Sequence, residues 1–182
     1  MDVIGPVIPK ALNGHEYIFV AIDYFIKWVE ATSYKSITQA VATRFLKHNI
    51  IFHYGVLGEL IIDNGTNLNG KMIQQLCQQF KIEHKNSIPY HPQMNGVVEA
   101  ANKNIKKIFV KITDTYKDWH EYLLFALCAY RTSVRTSTGA TPYSLVYGME
   151  AILPVEVEIR LSRFYLKQSC QKLNGPILSM NN

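Results

Sequence analysis

Strands come first in this chain, then strands alternating with helices, then helices, and that order predicts an α/β fold in which helices cover a mixed sheet. Three observations carry the prediction. Residues 17–22, YIFVAI, are almost continuously apolar and rich in β-branched or aromatic side chains. Val98, Ala101, Ile105, Ile108 and Ile112 keep a helical register for more than four turns. Behind them, Trp119, Tyr122, Leu123, Ala126, Leu127 and Tyr130 form a second helical stripe.

The elements follow in order. The run at 17–22 suits a strand buried on both faces. Residues 27–32, KWVEAT, alternate and predict a neighbouring strand with one wetter face. Val41, Phe45, Ile51 and Phe52 have a helical rhythm. Glu59 to Asp63 is a short strand stopped by the turn-forming pair Asn64 and Gly65. Met72, Leu76 and Phe80 recur every four residues and predict a helix, and residues 81–84 are a short strand candidate. Residues 87–96, with two prolines and a closing glycine, read as a loop that ends at a helix start. Asp118 with Glu121 three residues on has the spacing of a capping box, and Pro142 suits the first turn of a short helix over 142–147.

Composition sets the outer limits. The 182 residues suit one domain that buries most of its apolar surface, and 48% hydrophobic against 18% charged residues is ordinary for a folded domain. Nineteen basic against 14 acidic residues give a formal charge of +5, which favours polyanionic partners. The longest purely apolar stretch, at 123–129, is far short of the roughly 20 residues of a membrane span, and no basic-then-apolar leader opens the chain, so neither membrane insertion nor secretion is expected. Cys77, Cys128 and Cys170 are odd in number and widely spaced. They support neither a disulfide framework nor a cysteine-based zinc site, and a reducing compartment fits best. Cys77 and Cys128 read as small buried hydrophobes. His15, His48, His53, His84, His91 and His120 form no metal-binding spacing and read as surface or partly satisfied histidines.

Two carboxylates stand out by context. Asp63 closes an apolar strand, where ligand sites of open α/β sheets gather; its other reading is a simple turn cap before Asn64 and Gly65. Glu99 opens the long helix on the side opposite its apolar stripe. It also pairs at i, i+4 with Lys103, so a plain solvated face is the alternative. Against that stands a row of phosphate-capable groups on the same segment, Asn102, Lys103, Lys106, Lys107 and Lys111. A polyanion lying along this face would bring phosphates beside Glu99. Acids drawn from separate strands and helices are sufficient to hold the paired Mg²⁺ ions that phosphodiester chemistry uses.

Several ordered segments then match a known family. DVIGP at 2–6, YIFVAIDYFIKW at 17–28, DNGTN at 63–67, IPYHPQMNG at 88–96 and VEAANK at 98–103 resemble the integrase catalytic core of retroviruses and, more closely, of plant gypsy-class LTR retrotransposons. The likeness continues through 123–159, so it covers residues 1–159, and the 35 residues between Asp63 and Glu99 match the family's spacing. The resemblance implies an RNase H-like fold with a mixed five-stranded sheet flanked by helices. It also implies a D,D,E triad of Asp2, Asp63 and Glu99 that binds two Mg²⁺ or Mn²⁺ ions for 3′-end processing and strand transfer. Residues 89–96 resemble the family's mobile active-site loop, and Asn102, Lys103, Lys106 and Lys107 its DNA-contacting helix positions. Without the family, Asp23, which also ends a strand, ranks level with Asp2.

Relative to the family the first strand is truncated, because the chain starts one residue before Asp2. That loss is expected to remove ladder hydrogen bonds and to leave Asp2 beside a mobile, charged amino terminus. The family's zinc-binding and carboxyl-terminal modules are absent from this sequence, and residues 160–182 do not resemble it and are expected to be a disordered tail. The implied partners are element-end and target DNA and further copies of the chain in a homo-oligomer, with the nucleus as the place of action. Two other readings fit the same residues: a DNA-binding or dimerising remnant without a competent metal site, and an RNase H-like nuclease.

Overall fold

The computed structural model describes residues 1–62, 68, 70–86, 118–153 and 155. The predicted helix at 97–112, the loop at 87–96 and the tail at 160–182 lie outside the described residues. Five strands are present among those described: β1 (Asp2–Ile4), β2 (Tyr17–Ile22), β3 (Val29–Tyr34), β4 (Glu59–Ile62) and β5 (Glu83–Asn86). They pair as an antiparallel ladder in the order β1-β2-β3 and a parallel pair β4-β5, not as one continuous set of pairings. The Met1 amino nitrogen bridges the two sets, donating to the Ile61 carbonyl at 2.6 Å. The amino terminus is therefore tied to β4, where a mobile end was expected.

The β1-β2-β3 register places Asp2 opposite Val20, Ile4 opposite Ile18, and Ile18 opposite Ser33. Bonds from Val7 N to Glu16 O at 2.7 Å and from Glu16 N to Tyr34 O at 3.0 Å carry the ladder beyond the strands into the loop over residues 5–16. Side chains alternate across a strand, so the sheet separates two cores. On one face Ile18, Val20, Val29 and Ala31 pack with Val7 and Ala11 of the loop and with Trp119, Leu123, Ala126, Leu127 and Tyr130. The last five belong to α4 (Trp119–Arg131) and are the stripe its spacing predicts. On the other face Phe19 meets Phe45, Leu46, Ile62, Ile73, Leu76 and Cys77.

The second core is built from α1 (Gln39–Phe45), a π-helical stretch (Leu46–Ile51) running into α2 (Phe52–Tyr54), and α3 (Lys71–Phe80). Thr38 caps α1, its hydroxyl accepting from Val41 N. In α3 the buried face is Ile73, Leu76 and Cys77, while Met72 is exposed. The stripe is therefore turned by one residue from the Met72-Leu76-Phe80 spacing. The capping box at Asp118 is not formed: its backbone, at φ −94° and ψ 16°, is away from the extended cap conformation, and its side chain makes no cap bond. The short α5 (Pro142–Tyr147) does follow expectation, with Pro142 in the first turn and the Thr141 hydroxyl accepting from Ser144 N at 3.0 Å. No helix among the described residues is long and apolar enough to cross a membrane.

Candidate active site

Asp2 is the member of the predicted acidic triad that the described residues include. It is half-buried on β1, and its Oδ1 accepts the Val3 N–H at 2.7 Å. Because Asp2 lies opposite Val20, alternation turns its carboxylate to the sheet face that α4 covers, while Val3 packs into the opposite core. The Met1 bond to Ile61 brings this end of β1 against β4, and Asp63 is the residue that follows β4 in sequence. Asp63, Glu99, Asn102, Lys103, Lys106 and Lys107 themselves lie outside the described residues. Among those described, no three His, Cys, Asp or Glu side chains gather closely enough to hold a metal ion.

Asp23, the other aspartate that ends a strand, is placed differently from Asp2. Asp23 is an exposed turn residue whose Oδ1 accepts the N–H groups of Phe25 and Ile26 at 2.8 and 2.9 Å, while its backbone pairs with Trp28 and Lys27. This is a carboxylate closing a turn, as aspartate does wherever its side chain can reach the amides two and three residues on. The turn also holds Lys27 at φ 60°, its ammonium bonded to the Tyr24 carbonyl and 4.5 Å from that ring's centroid.

Beside that turn stands a network whose parts sequence reading left unconnected. Arg131, at the end of α4, donates from Nε and Nη2 to the Val29 carbonyl at 3.0 and 2.7 Å and pairs with Glu30 at 2.8 Å. Its guanidinium lies 4.3 Å from the Trp28 ring centroid. Glu30 Oε1 also accepts from Trp28 Nε1 and from the Tyr54 hydroxyl. Burial, followed by the bond to Glu30, pushes the Tyr54 phenol well above its usual range. Every charge here is matched, which makes the corner a clamp joining β3, α2 and α4.

The opposite end of the same ladder is different. His15 Nδ1 lies 2.8 Å from Ser33 Oγ, and its ring centroid is 6.4 Å from that of His120 on α4. Burial, then the charges of His120 and Lys35, hold the His15 imidazole below its ordinary pKa. Trp119 Nε1 donates to the Pro9 carbonyl at 3.1 Å and fixes the loop over 5–16 onto α4. His15 and His120 stand far apart in sequence, so no spacing signals their meeting. Cys77 is buried, as expected, while Cys128 is only half-buried, and burial raises both thiols. His91 and Cys170 lie outside the described residues.

The fold and the placement of Asp2 define an RNase H-like α/β domain with a carboxylate on its first strand. The catalytic core domain of BIV integrase has the same fold, with a TM-score of 0.63 and 27% identity over 81% of this chain and 91% of that one. Residues 1–92 match the model of the integrase core domain, and the chain belongs to that family. It is 33% identical over 141 residues to the Gag-Pol polyprotein of avian reticuloendotheliosis virus, covering 77% of this chain. It is also 29% identical over 155 residues to the retrovirus-related Pol polyprotein from transposon 412 of Drosophila melanogaster, covering 85%. The chain spans 12% of the length of each of these polyproteins. Such relatives place it among retroviral and retrotransposon sequences at large without singling out the plant gypsy class.

Proposed function

We propose that this chain is a polynucleotidyl transferase core that integrates the DNA of a retrovirus-like element, with Asp2, Asp63 and Glu99 as its catalytic acids. The observation that carries the reading is the position of Asp2. A member of the integrase core family has a half-buried carboxylate at the start of a strand, and the residue before it, Met1, bonds to Ile61, two residues before Asp63. The donor set is three carboxylates, and hard oxygen ligands of this kind suit Mg²⁺ or Mn²⁺. Two such ions, when bound, would neutralise phosphate oxygens, activate a water or 3′-hydroxyl and stabilise the departing 3′ oxygen. The chain's own part is to position the acids on separate elements and to hold DNA along Asn102, Lys103, Lys106 and Lys107.

On this reading the substrates are element-end and target DNA, the working form is a homo-oligomer, and the place of action is the nucleus. The first test is Mn²⁺ titration followed by thermal melting. The unsubstituted chain should gain stability with Mn²⁺ and Asp63→Asn should not; an unmoved melting temperature in both sinks the metal site and leaves a DNA-binding remnant. Supplying element-end DNA then separates strand transfer from hydrolysis alone, which would mark a nuclease. Lys103→Ala and Lys106→Ala should each lower the salt slope of DNA binding by about one.

A further inference from the structure

An acid that closes a strand needs a foothold on both sides of it. Before Asp63 the chain is held at Ile62, the fully buried last residue of β4. After it the chain is next held at Leu68, which is buried in the same core as Ile62, and then at the buried Gly70 that precedes α3. Residues 63–67 therefore run from β4 to the start of α3, and whatever fixes that start bears on Asp63.

Gly70 has φ −81° and ψ 164°, a backbone conformation open to any residue. What demands glycine is space. A Cβ built at position 70 would fall within the Gln39 amide, inside contact distance of its Cδ, Oε1 and Nε2. The Gln39 side chain thus fills the notch that Gly70 leaves. It reaches there from the first turn of α1, and its own backbone is pinned: Thr38 caps that helix, and the Thr43 hydroxyl donates to the Gln39 carbonyl at 2.7 Å. Beneath the notch Ala42 and Phe45 of α1 share the second core with Ile73 and Cys77 of α3, so the two helices are joined by packing as well.

The notch lies at a point where α3 lacks something. A Ser, Thr, Asp or Asn before a helix offers an oxygen to the second or third N–H, and Gly70 has none to offer. The Lys71 and Met72 N–H groups find no backbone acceptor among the described residues. Gln39 brings an amide, with its carbonyl oxygen, to the place where the missing side chain would stand.

We propose that Gln39 is a positioning residue of the active site: its amide, seated in the notch over Gly70, fixes the start of α3 against α1 and with it the second foothold of the segment that bears Asp63. The proposal rests on the reading of Asp63 as a catalytic acid given above. Groups in a working site have to be held within ~0.5 Å of their productive geometry. A slip of that size at the start of α3 would be felt at Asp63 while both cores stay closed.

The test uses the full chain in three forms: Gln39→Ala, Gly70→Ala and the two combined. Gln39→Ala empties the notch. In Gly70→Ala the new methyl displaces the amide, at little cost to the fold because the end of a glutamine side chain can swing aside. The readouts are amide hydrogen exchange at Lys71 and Met72, followed by NMR without metal, and Mn²⁺ affinity by titration. Each single change should speed that exchange about fivefold, the size of a lost helix cap, and weaken Mn²⁺ binding about tenfold. Because both residues act through one contact, the double variant should be no worse than either single one. A lowered melting temperature with unchanged Mn²⁺ affinity would show a structural joint and overturn the positioning role. Effects that add in the double variant overturn it too, since the residues then act separately. If the unsubstituted chain binds Mn²⁺ and neither single change alters exchange or affinity, the role of Gln39 is overturned and the integrase reading stands. If the unsubstituted chain binds no Mn²⁺, the catalytic reading of Asp63 falls and takes the positioning role with it.

Discussion

The two ends of the β1-β2-β3 ladder use similar side chains to opposite effect. At one end, Trp28, Glu30, Tyr54 and Arg131 satisfy each other almost completely, with Glu30 accepting from three partners. At the other, burial above all, then the charges of His120 and Lys35, disfavour protonation of His15, and His120 Nδ1 is buried without a hydrogen-bond partner. The first arrangement is closed chemistry, and its result is rigidity between a strand and two helices. The second is held by burial and packing, with its polar atoms only partly satisfied. In one small sheet, similar polar side chains thus lock one corner and leave the other incompletely hydrogen-bonded.

Trp119 anchors the open end, and its loss should have the largest effect. Its side chain is fully buried and it bonds to Pro9, so Trp119→Ala is expected to cost about 4 kcal/mol in urea unfolding. A value under about 1 kcal/mol would show that the loop is not held to α4 as described. Arg131→Ala, at the closed end, should cost about 3 kcal/mol, because Glu30 keeps its charge in a mostly buried position without its cation. Glu30→Gln combined with Arg131→Ala should recover part of that loss, since the orphaned charge is gone. Tyr54→Phe removes one bond to Glu30 and should cost about 1 kcal/mol.

The smallest effect is one of pH. The folded chain holds His15 below the ordinary histidine value of 6.5, chiefly through burial, so the unfolded chain binds the proton more readily. Between 6.5 and the lower folded value stability therefore rises with pH; it is fully present above 6.5 and declines as pH falls through that window. His15→Gln should flatten this dependence. A pH dependence unaltered in His15→Gln would place its origin elsewhere.

Much of this architecture is readable along the chain. The 17–22 run and the Trp119 to Tyr130 stripe became a central strand and the helix that covers it, because each buries one periodic face against the other. Where local patterns misled, a tertiary reason can be named. Met72 fits a four-residue spacing, but α3 turns Ile73 and Cys77 inward to meet Ile62 and Phe45. Asp118 has a capping partner at the right offset, but its backbone dihedrals keep the side chain from capping. For the acids, local context singled out Asp63 at a strand end and Glu99 on a basic helix, while Asp2 was equal to Asp23 until the family pattern chose it. In the fold Asp23 closes a turn, its Oδ1 accepting from Phe25 and Ile26. His15 and His120 carry no local signal, since what joins them is the docking of α4 on the sheet.

The bond between Trp119 and Pro9 has a practical consequence. The chain has two tryptophans, and the ladder separates them: Trp119 beside His120 at one end, Trp28 beneath Arg131 at the other. Intrinsic fluorescence is thus already divided into two local channels. With Trp28→Phe, the remaining indole, whose ring centroid is 6.4 Å from that of His120, becomes an optical reporter of the imidazole cluster and needs no attached dye.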